Sequence, residues 1–383
     1  MTLVTCPRCN RQVAGGRFCP GCGSRLDDPL TGKVLAGRVR LVAQTGRGPF
    51  YATYRAEHKS GGASWSVKVL EPAVTGDDSR KRRFLENAGA MLALGDARLL
   101  PVREMAEEEI ADGGARSRRV VFALADAPAG PSLAELIRRQ GPLDTARAAA
   151  FGQGLLGALG AVHAARVVHG DLHPDCVFLE PDGQRGEQVR LADAGLAIGL
   201  GGPPAEAPDP ASFGSDGGRW IAPEQAAGQT ASAASDLHAA GAVLYFALTG
   251  SPPWQSEKGS PLLYEIQKSV PRPASQLQAR VPAALDQVLD RALAKSPGDR
   301  YRTAAEFAQA LASASAGVAA VPRPALPVDV TPGALTMAGL RPTTSEITLT
   351  APPVRRAPSI EDLPPPRSSI GSGDETIVGS PGA

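Results

Sequence analysis

The chain has 383 residues, which leaves room for one domain of about 250 residues and smaller attachments. Its 40 Lys and Arg residues nearly balance its 39 Asp and Glu residues, so charge gives no reason to expect nucleic-acid binding. No secretory leader begins at Met1 and no apolar run is long enough to cross a bilayer, which predicts a cytoplasmic protein without a membrane partner.

Four cysteines lie near the amino terminus, in the stretch CPRCNRQVAGGRFCPGCG. Cys6, Cys9, Cys19 and Cys22 form two C-x2-C pairs that are nine residues apart. Two such turns supply the four soft ligands of a tetrahedral Zn²⁺ site, so we interpret residues 1–28 as a zinc ribbon with a structural zinc ion. Two disulfides or a redox C-x-x-C pair are the alternatives. The expected cytoplasmic setting disfavours the first, and the lack of a strand-to-helix junction disfavours the second.

Residues 35–314 alternate strand-like and helix-like patterns at the density of a globular domain. The stretch TGRGPFYATYRA places Gly46 and Gly48 between two strand-like runs, and WSVKVL then places Lys68 in an apolar strand. Five further motifs follow in the order HGDLHPDC, LADAG, WIAPEQ, SDLHAAG and SPGDRY. They contain His169 and Asp171, Asp193, Glu224, Asp236 and Arg300, respectively.

Residues 315–383 contain no aromatic residue and hold twelve of the 35 prolines. This composition cannot bury enough apolar surface to offset the loss of chain entropy, so we predict a disordered tail rich in Pro, Ser and Thr. Within it, GDETIVGS places Thr376 after two acidic residues, which is similar to the phosphothreonine peptides that FHA domains bind. A disordered end without such a reader is the alternative.

The order and spacing of the motifs over about 280 residues resemble the bacterial, eukaryotic-like serine/threonine protein kinases. The resemblance implies an α+β fold with two lobes, and a nucleotide cleft between them. It also implies that Lys68 holds the ATP phosphates, that Asp171 is the catalytic base and that Asp193 binds Mg²⁺. Gly46 and Gly48 belong to the loop that covers the phosphates.

Other residues of the family pattern support the fold. The resemblance implies that Glu224 pairs with Arg300 and that Asp236 holds the catalytic loop from beneath. An inactive relative would keep both features, because they support the fold and not the chemistry.

Several positions that serve the chemistry differ from the family pattern. Cys176 replaces an asparagine that binds a second Mg²⁺, and a soft thiol is a poor ligand for a hard cation. His173 replaces a lysine that contacts the transferred phosphate, so a permanent positive charge is lost. Gly170 replaces an arginine that binds a phosphorylated activation loop in many relatives.

Four more differences accompany these. Asn87 takes the place of the helix glutamate that pairs with the strand lysine, and its neighbour Glu86 is turned away by about 100°. Tyr51 replaces the third glycine of the phosphate loop. Gly217 replaces a threonine that steadies the catalytic aspartate. Pro128 falls at the hinge position whose N–H binds adenine, and proline has no N–H.

The sequence therefore predicts a pseudokinase or very weak kinase that acts as a regulatory or scaffolding module and retains some ATP binding. An active serine/threonine kinase is the first alternative, because Lys68, Asp171 and Asp193 are all present. A recruitment module that acts through the zinc ribbon is the second. The protein partner or substrate is not specified by any motif.

Overall fold

The computed structural model describes the chain in separate stretches. They are residues 3–5, 12–14, 20, 28, 30–47, 50–111, 117–183, 186–197, 200, 218–256 and 260–316. The four cysteines of the predicted zinc ribbon lie outside them, as do Gly48, Gly217, Thr376 and all but the first residues of the predicted tail. The zinc, tail and FHA hypotheses therefore stay predictions.

The amino-terminal lobe is built on a six-stranded antiparallel sheet with the order β3-β4-β5-β6-β8-β7. In β4, buried Val39 and Leu41 alternate with exposed Arg40, the period of two expected for a strand with one buried face. A separate antiparallel pair precedes this sheet. The strands are β1 (Leu3–Thr5), β2 (Gln12–Ala14), β3 (Val34–Leu35), β4 (Val39–Arg47), β5 (Tyr51–His58), β6 (Ser64–Leu70), β7 (Val102–Ala111) and β8 (Ser117–Asp126).

Two helices, α1 (Pro72–Thr75) and α2 (Asp78–Leu92), lie between β6 and β7 in the chain. Asp77 begins α2 as its N-cap, since its side chain accepts hydrogen bonds from the backbone N–H groups of Ser79 and Arg80. The helix buries Phe84, Ala88 and Met91, which share one face at helical spacing, and it packs on β7 and β8.

The carboxy-terminal lobe is mainly helical, and its core surrounds α4 and α6. Helix α6 is apolar on nearly all sides and is buried along most of its length, as expected for an inner helix. It ends at Gly250, whose φ of 75° is the left-handed conformation that favours glycine. The helices are α3 (Leu133–Gln140), α4 (Thr145–Ala164), α5 (Pro223–Ala226), α6 (Ala233–Thr249), α7 (Ser260–Lys268), α8 (Ala274–Leu277), α9 (Ala283–Ala292) and α10 (Ala304–Ala314).

A two-stranded hairpin of β9 (Val177–Asp182) and β10 (Gly186–Leu191) follows α4, and two candidate site residues, Asp171 and Asp193, lie before and after it. The predicted catalytic loop connects α4 to β9, and Asp193 follows the end of β10. Residues 127–132 connect β8 to α3 and thus join the two lobes. Among the described helices, none is both long and apolar enough to span a bilayer.

Candidate active site

A cleft between the sheet and the helices contains the predicted site. Its cavity volume is about 420 Å³, within the range of roughly 300–1,000 Å³ that is usual for small-molecule sites. Gly46, Lys68, Asp171 and Asp193 all line it. The structure thus brings together the site residues that the sequence predicted in this domain, apart from Gly48, which lies outside the described stretches.

Lys68 lies in the middle of β6, opposite Thr53 of β5. The residue is only 7% exposed, so its ammonium group needs partners within the protein. Lys68 Nζ lies 2.7 Å from Asp193 Oδ2 and donates a hydrogen bond of 2.9 Å to Thr53 Oγ1. The ring centroid of Tyr51 is 5.7 Å from the same nitrogen, which is within cation–π range.

Asp193 adopts a backbone conformation that side-chain-bearing residues rarely take, with a φ of 65°. Gly195 also has a positive φ, of 76°, and its N–H donates to the carbonyl oxygen of His169 at 3.1 Å. Residues held in such conformations are concentrated at functional sites. This turn directs the Asp193 carboxylate towards Lys68 and links it to the catalytic loop.

Asp236 holds the catalytic loop from beneath, as the resemblance implied. Its carboxylate accepts the backbone N–H groups of His169 at 2.7 Å and Gly170 at 2.8 Å, and it contacts His163 Nε2 at 2.7 Å. His169 is fully buried, with Nε2 3.0 Å from the carbonyl oxygen of Ala192. Burial lowers the pKa of His169, so its ring is a neutral structural group.

Glu224 and Arg300 form a buried bidentate ion pair, which confirms the pairing that the resemblance implied. Their two N–O distances are 2.8 and 2.7 Å, and Ser235 Oγ donates to Glu224 at 2.7 Å. Burial acts to raise the pKa of Glu224, but the hydrogen bonds from Arg300 and Ser235 outweigh it and lower the pKa overall. Gln225 then donates to the carbonyl oxygen of Gly170 at 3.0 Å, which ties this segment to the catalytic loop.

Cys176 serves the catalytic loop itself. Its thiol donates to the carbonyl oxygen of His173 at 3.0 Å and accepts the N–H of His173 at 3.3 Å. Only 1% of the residue is exposed, and burial raises the pKa of the thiol well above its ordinary value. Cys176 is therefore a protonated cap of the turn Pro174–Cys176. Sequence reasoning predicted the loss of a metal ligand here but not this hydrogen-bonding role.

His173 lines the cleft together with Asp171 and Asp175. Its Nδ1 accepts the backbone N–H of Asp175 at 3.3 Å, so the imidazole also caps the same turn. The cleft thus contains an imidazole where the family pattern has a lysine ammonium.

Glu86 and Asn87 of helix α2 differ in burial. Glu86 is exposed on the helix surface, and Asn87, which is half-buried, carries no charge. Within the described stretches, the ion pair of Lys68 is made with Asp193.

The segment between the lobes is fixed by close backbone contacts. Pro128 lines the cleft, and the N–H of Ala129 donates to Glu180 Oε1 at 2.8 Å. A Cβ atom at Gly130 would lie 2.0 Å from the carbonyl oxygen of Leu179, so this position requires glycine. No motif of the sequence indicates the contact between Glu180 and Ala129.

The carboxylates of Asp171 and Asp193 in the cleft are suited to one magnesium ion in a nucleotide site. Mg²⁺ in such sites is commonly bound by one or two carboxylates together with phosphate oxygens and water. Asp193 supplies such a carboxylate and lines the cleft with Asp171. Across the described stretches, no group of three or more His, Cys, Asp and Glu residues could hold a metal ion by itself.

Comparison with known proteins identifies the domain. The family model described as "Protein kinase domain" matches residues 39–312. This chain belongs to the protein kinase family. The serine/threonine-protein kinase Pkn1 of Myxococcus xanthus is 32% identical to this kinase-family chain over 300 residues, which cover 78% of it but only 41% of Pkn1.

Two further relatives agree with this assignment. The serine/threonine-protein kinase PknA of Mycobacterium tuberculosis is 28% identical over 361 residues, which cover 92% of this chain and 80% of PknA. The crystal structure of the M. tuberculosis PknI kinase domain matches with a TM-score of 0.56 and 25% identity over 74% of this chain and 98% of that domain. The predicted α+β kinase fold is confirmed, and the family is the bacterial one that the motifs indicated.

Proposed function

We propose that this kinase-family chain is a signalling protein that binds nucleotide in the cleft but transfers phosphate very slowly or not at all. Cys176 carries the proposal. Its thiol is buried, protonated and bonded within its own loop, so it offers no oxygen to a second metal ion. The protein would then act as a regulatory or scaffolding module for a partner protein.

The residues that remain suit nucleotide binding. Lys68 would hold the phosphates, Asp193 would bind Mg²⁺, and Asp171 would orient a substrate hydroxyl. A bound magnesium ion would neutralise charge on the phosphate oxygens. The changes at Cys176 and His173 remove electrostatic contacts, each worth about 3 kcal/mol or roughly 100-fold in rate.

An active serine/threonine kinase is the second candidate, and one observation favours it. Lys68 and Asp193 form an ion pair of 2.7 Å, and the loop that carries Asp171 is firmly anchored by Asp236. The three residues that phosphoryl transfer needs most are therefore present in one cleft.

Nucleotide binding and transfer distinguish the two candidates. ATP with Mg²⁺ is expected to raise the melting temperature of the full chain, while radiolabel transfer from ATP to itself or to a general protein substrate stays near background. Asp171→Asn should leave the thermal shift unchanged. Rapid transfer by the wild type that disappears in Asp171→Asn would establish the active kinase instead.

The remaining expectations belong to the same proposal. We propose that the chain acts in the cytoplasm, that its partner is a protein and that a phosphorylated Thr376 could bind an FHA-type reader. The cysteines at residues 6, 9, 19 and 22 support a zinc ribbon by their spacing. The zinc content of the purified full chain, compared with that of Cys6→Ser, tests this part, and equal contents would refute it.

A further inference from the structure

Besides its ion pair with Asp193, Lys68 has two contacts from the neighbouring strand. Its ammonium group donates to Thr53 Oγ1 at 2.9 Å and lies 5.7 Å from the ring centroid of Tyr51. Thr53 pairs with Lys68 in the sheet, and Tyr51 pairs with Leu70 two residues further along β6. All four side chains therefore lie on the same face of the sheet, because alternate residues of a strand share a face.

Both strand residues depart from the family pattern. In G-x-G-x-x-G-x-V, the sixth position is glycine and the eighth is valine. Aligned from Gly46, these positions are Tyr51 and Thr53 in this chain. A glycine has no side chain and a valine has no hydroxyl, so neither family residue could make the contact that its replacement makes here.

Helix α2 has lost the group that usually holds this lysine. The family pairs the strand lysine with a helix glutamate, but Asn87 is neutral and Glu86 is exposed on the helix surface. The loss on the helix and the two changes on the strand thus concern the same ammonium group.

We propose that Tyr51 and Thr53 are positioning residues, and that they hold Lys68 in place of the helix glutamate. The inference deepens the proposed function, since it rests on Lys68 as the residue that holds the phosphates. The strand contacts matter most when nucleotide is bound. Asp193, the third partner of Lys68, would then bind Mg²⁺, which leaves the contacts of Tyr51 and Thr53 to hold the ammonium group.

This arrangement makes the lysine independent of α2. In a kinase that uses the helix glutamate, movement of the helix away from the cleft breaks the ion pair and switches the site off. Here Thr53 and Tyr51 lie on β5, which is joined to β6 by backbone hydrogen bonds, so these two contacts to Lys68 do not depend on where the helix lies.

The first test needs no nucleotide. Brief labelling with acetic anhydride, followed by mass spectrometry, measures how fast Lys68 is acetylated. Exposed Lys59 of the same chain serves as the internal reference. Loss of the hydroxyl acceptor or of the ring leaves the Lys68 amine less restrained and more accessible to the reagent. We expect Thr53→Val to label about threefold to tenfold faster at Lys68 and Tyr51→Leu about twofold faster.

Matched variants separate positioning from packing. Thr53→Ser keeps the hydroxyl and Tyr51→Phe keeps the ring, so both should label like the wild type. Equal Lys68 labelling in Thr53→Val and Thr53→Ser, and in Tyr51→Leu and Tyr51→Phe, would overturn the inference. Should Tyr51→Leu fail to fold, the near-isosteric Thr53 pair still decides it.

Nucleotide affinity gives the second test. The dissociation constant for ADP with Mg²⁺ should rise about threefold to tenfold in Thr53→Val and stay unchanged in Thr53→Ser. Tighter binding by Tyr51→Leu or Tyr51→Gly than by the wild type would show that the ring obstructs the phosphates and would overturn the assignment of Tyr51. A wild type that binds no nucleotide would refute the proposed function, while the labelling result would still decide the role of the strand residues.

Discussion

Two regions of the molecule keep the family pattern to very different extents. One is the support beneath the catalytic loop, and the other is the phosphate face, the side of the cleft that would meet the phosphates. Beneath the loop, Asp236 accepts two backbone N–H groups, and Arg300 binds Glu224 with two hydrogen bonds. On the phosphate face, Tyr51 and His173 stand where the family has glycine and lysine, and the buried Cys176 of the same loop as His173 stands where the family has asparagine.

The difference shows which constraints come from folding and which from chemistry. The side chains of Asp236, Glu224 and Arg300 are buried and hydrogen-bonded, so a change at any of them leaves an unsatisfied group in the core. A change on the phosphate face costs the fold little when the new side chain finds a local partner. Cys176 illustrates this, because it caps its own turn.

Removing Arg300 should have the largest effect of the changes considered. Arg300 is 1% exposed, and Arg300→Ala would leave the Glu224 carboxylate buried without its partner. We expect a loss of about 3–5 kcal/mol in the free energy of unfolding, measured by urea denaturation.

Arg139→Ala is the matched control. Arg139 also contacts a glutamate, Glu135, but its side chain is 65% exposed. Its removal should cost less than about 1 kcal/mol. Similar losses for the two variants would show that burial does not set the difference between the two regions.

We also expect the support beneath the loop to make the stability of the fold depend on pH. His238 is fully buried and stacks on Trp254, and neither of its ring nitrogens has a hydrogen-bond partner among the residues that the structure describes. Burial lowers the pKa of His238 well below its ordinary value, and the charges of Arg300 and Lys295 act in the same direction.

The sign of the pH effect follows from this shift. Below about pH 6.5 the unfolded chain binds a proton at this histidine and the folded chain does not, so stability falls as the pH decreases. One such proton contributes at most about 1.4 kcal/mol per pH unit. Urea denaturation between pH 7.5 and 5.5 should show this slope, and His238→Phe should reduce it.

A second measurement keeps this prediction testable if His238→Phe does not fold. In the wild type, the NMR signals of the His238 ring should not titrate over the same range. A ring that becomes protonated in the native state near pH 6.5 would contradict the prediction.

Contacts between residues that occur at fixed positions in the family motifs could be predicted from the sequence. The pairing of Glu224 with Arg300 and the role of Asp236 follow from their motifs, and the structure shows both. The gathering of Lys68, Asp171 and Asp193 in one cleft follows from the fold that these motifs indicate.

Contacts that depend on strand register and side-chain direction could not be predicted. The bond between Thr53 and Lys68 requires the exact pairing of β5 with β6, which no local pattern specifies. The cap made by Cys176 requires the thiol to turn inward. A motif comparison marks that position only as a missing asparagine.

The smallest predicted effect concerns the charge lost from the phosphate face. His173→Lys should restore a permanent cation beside Asp171 and Asp175 and tighten ATP binding by about 1 kcal/mol, or roughly fivefold. His173→Met is the control, because neither methionine nor lysine has a nitrogen or oxygen that can accept the N–H of Asp175, so both variants lose this cap. Calorimetric titration with ATP and Mg²⁺ at pH 8 compares them. Equal affinities would mean that a cation at this position does not interact with the phosphates of ATP. The change from lysine to histidine would then explain none of the slow phosphate transfer that we expect.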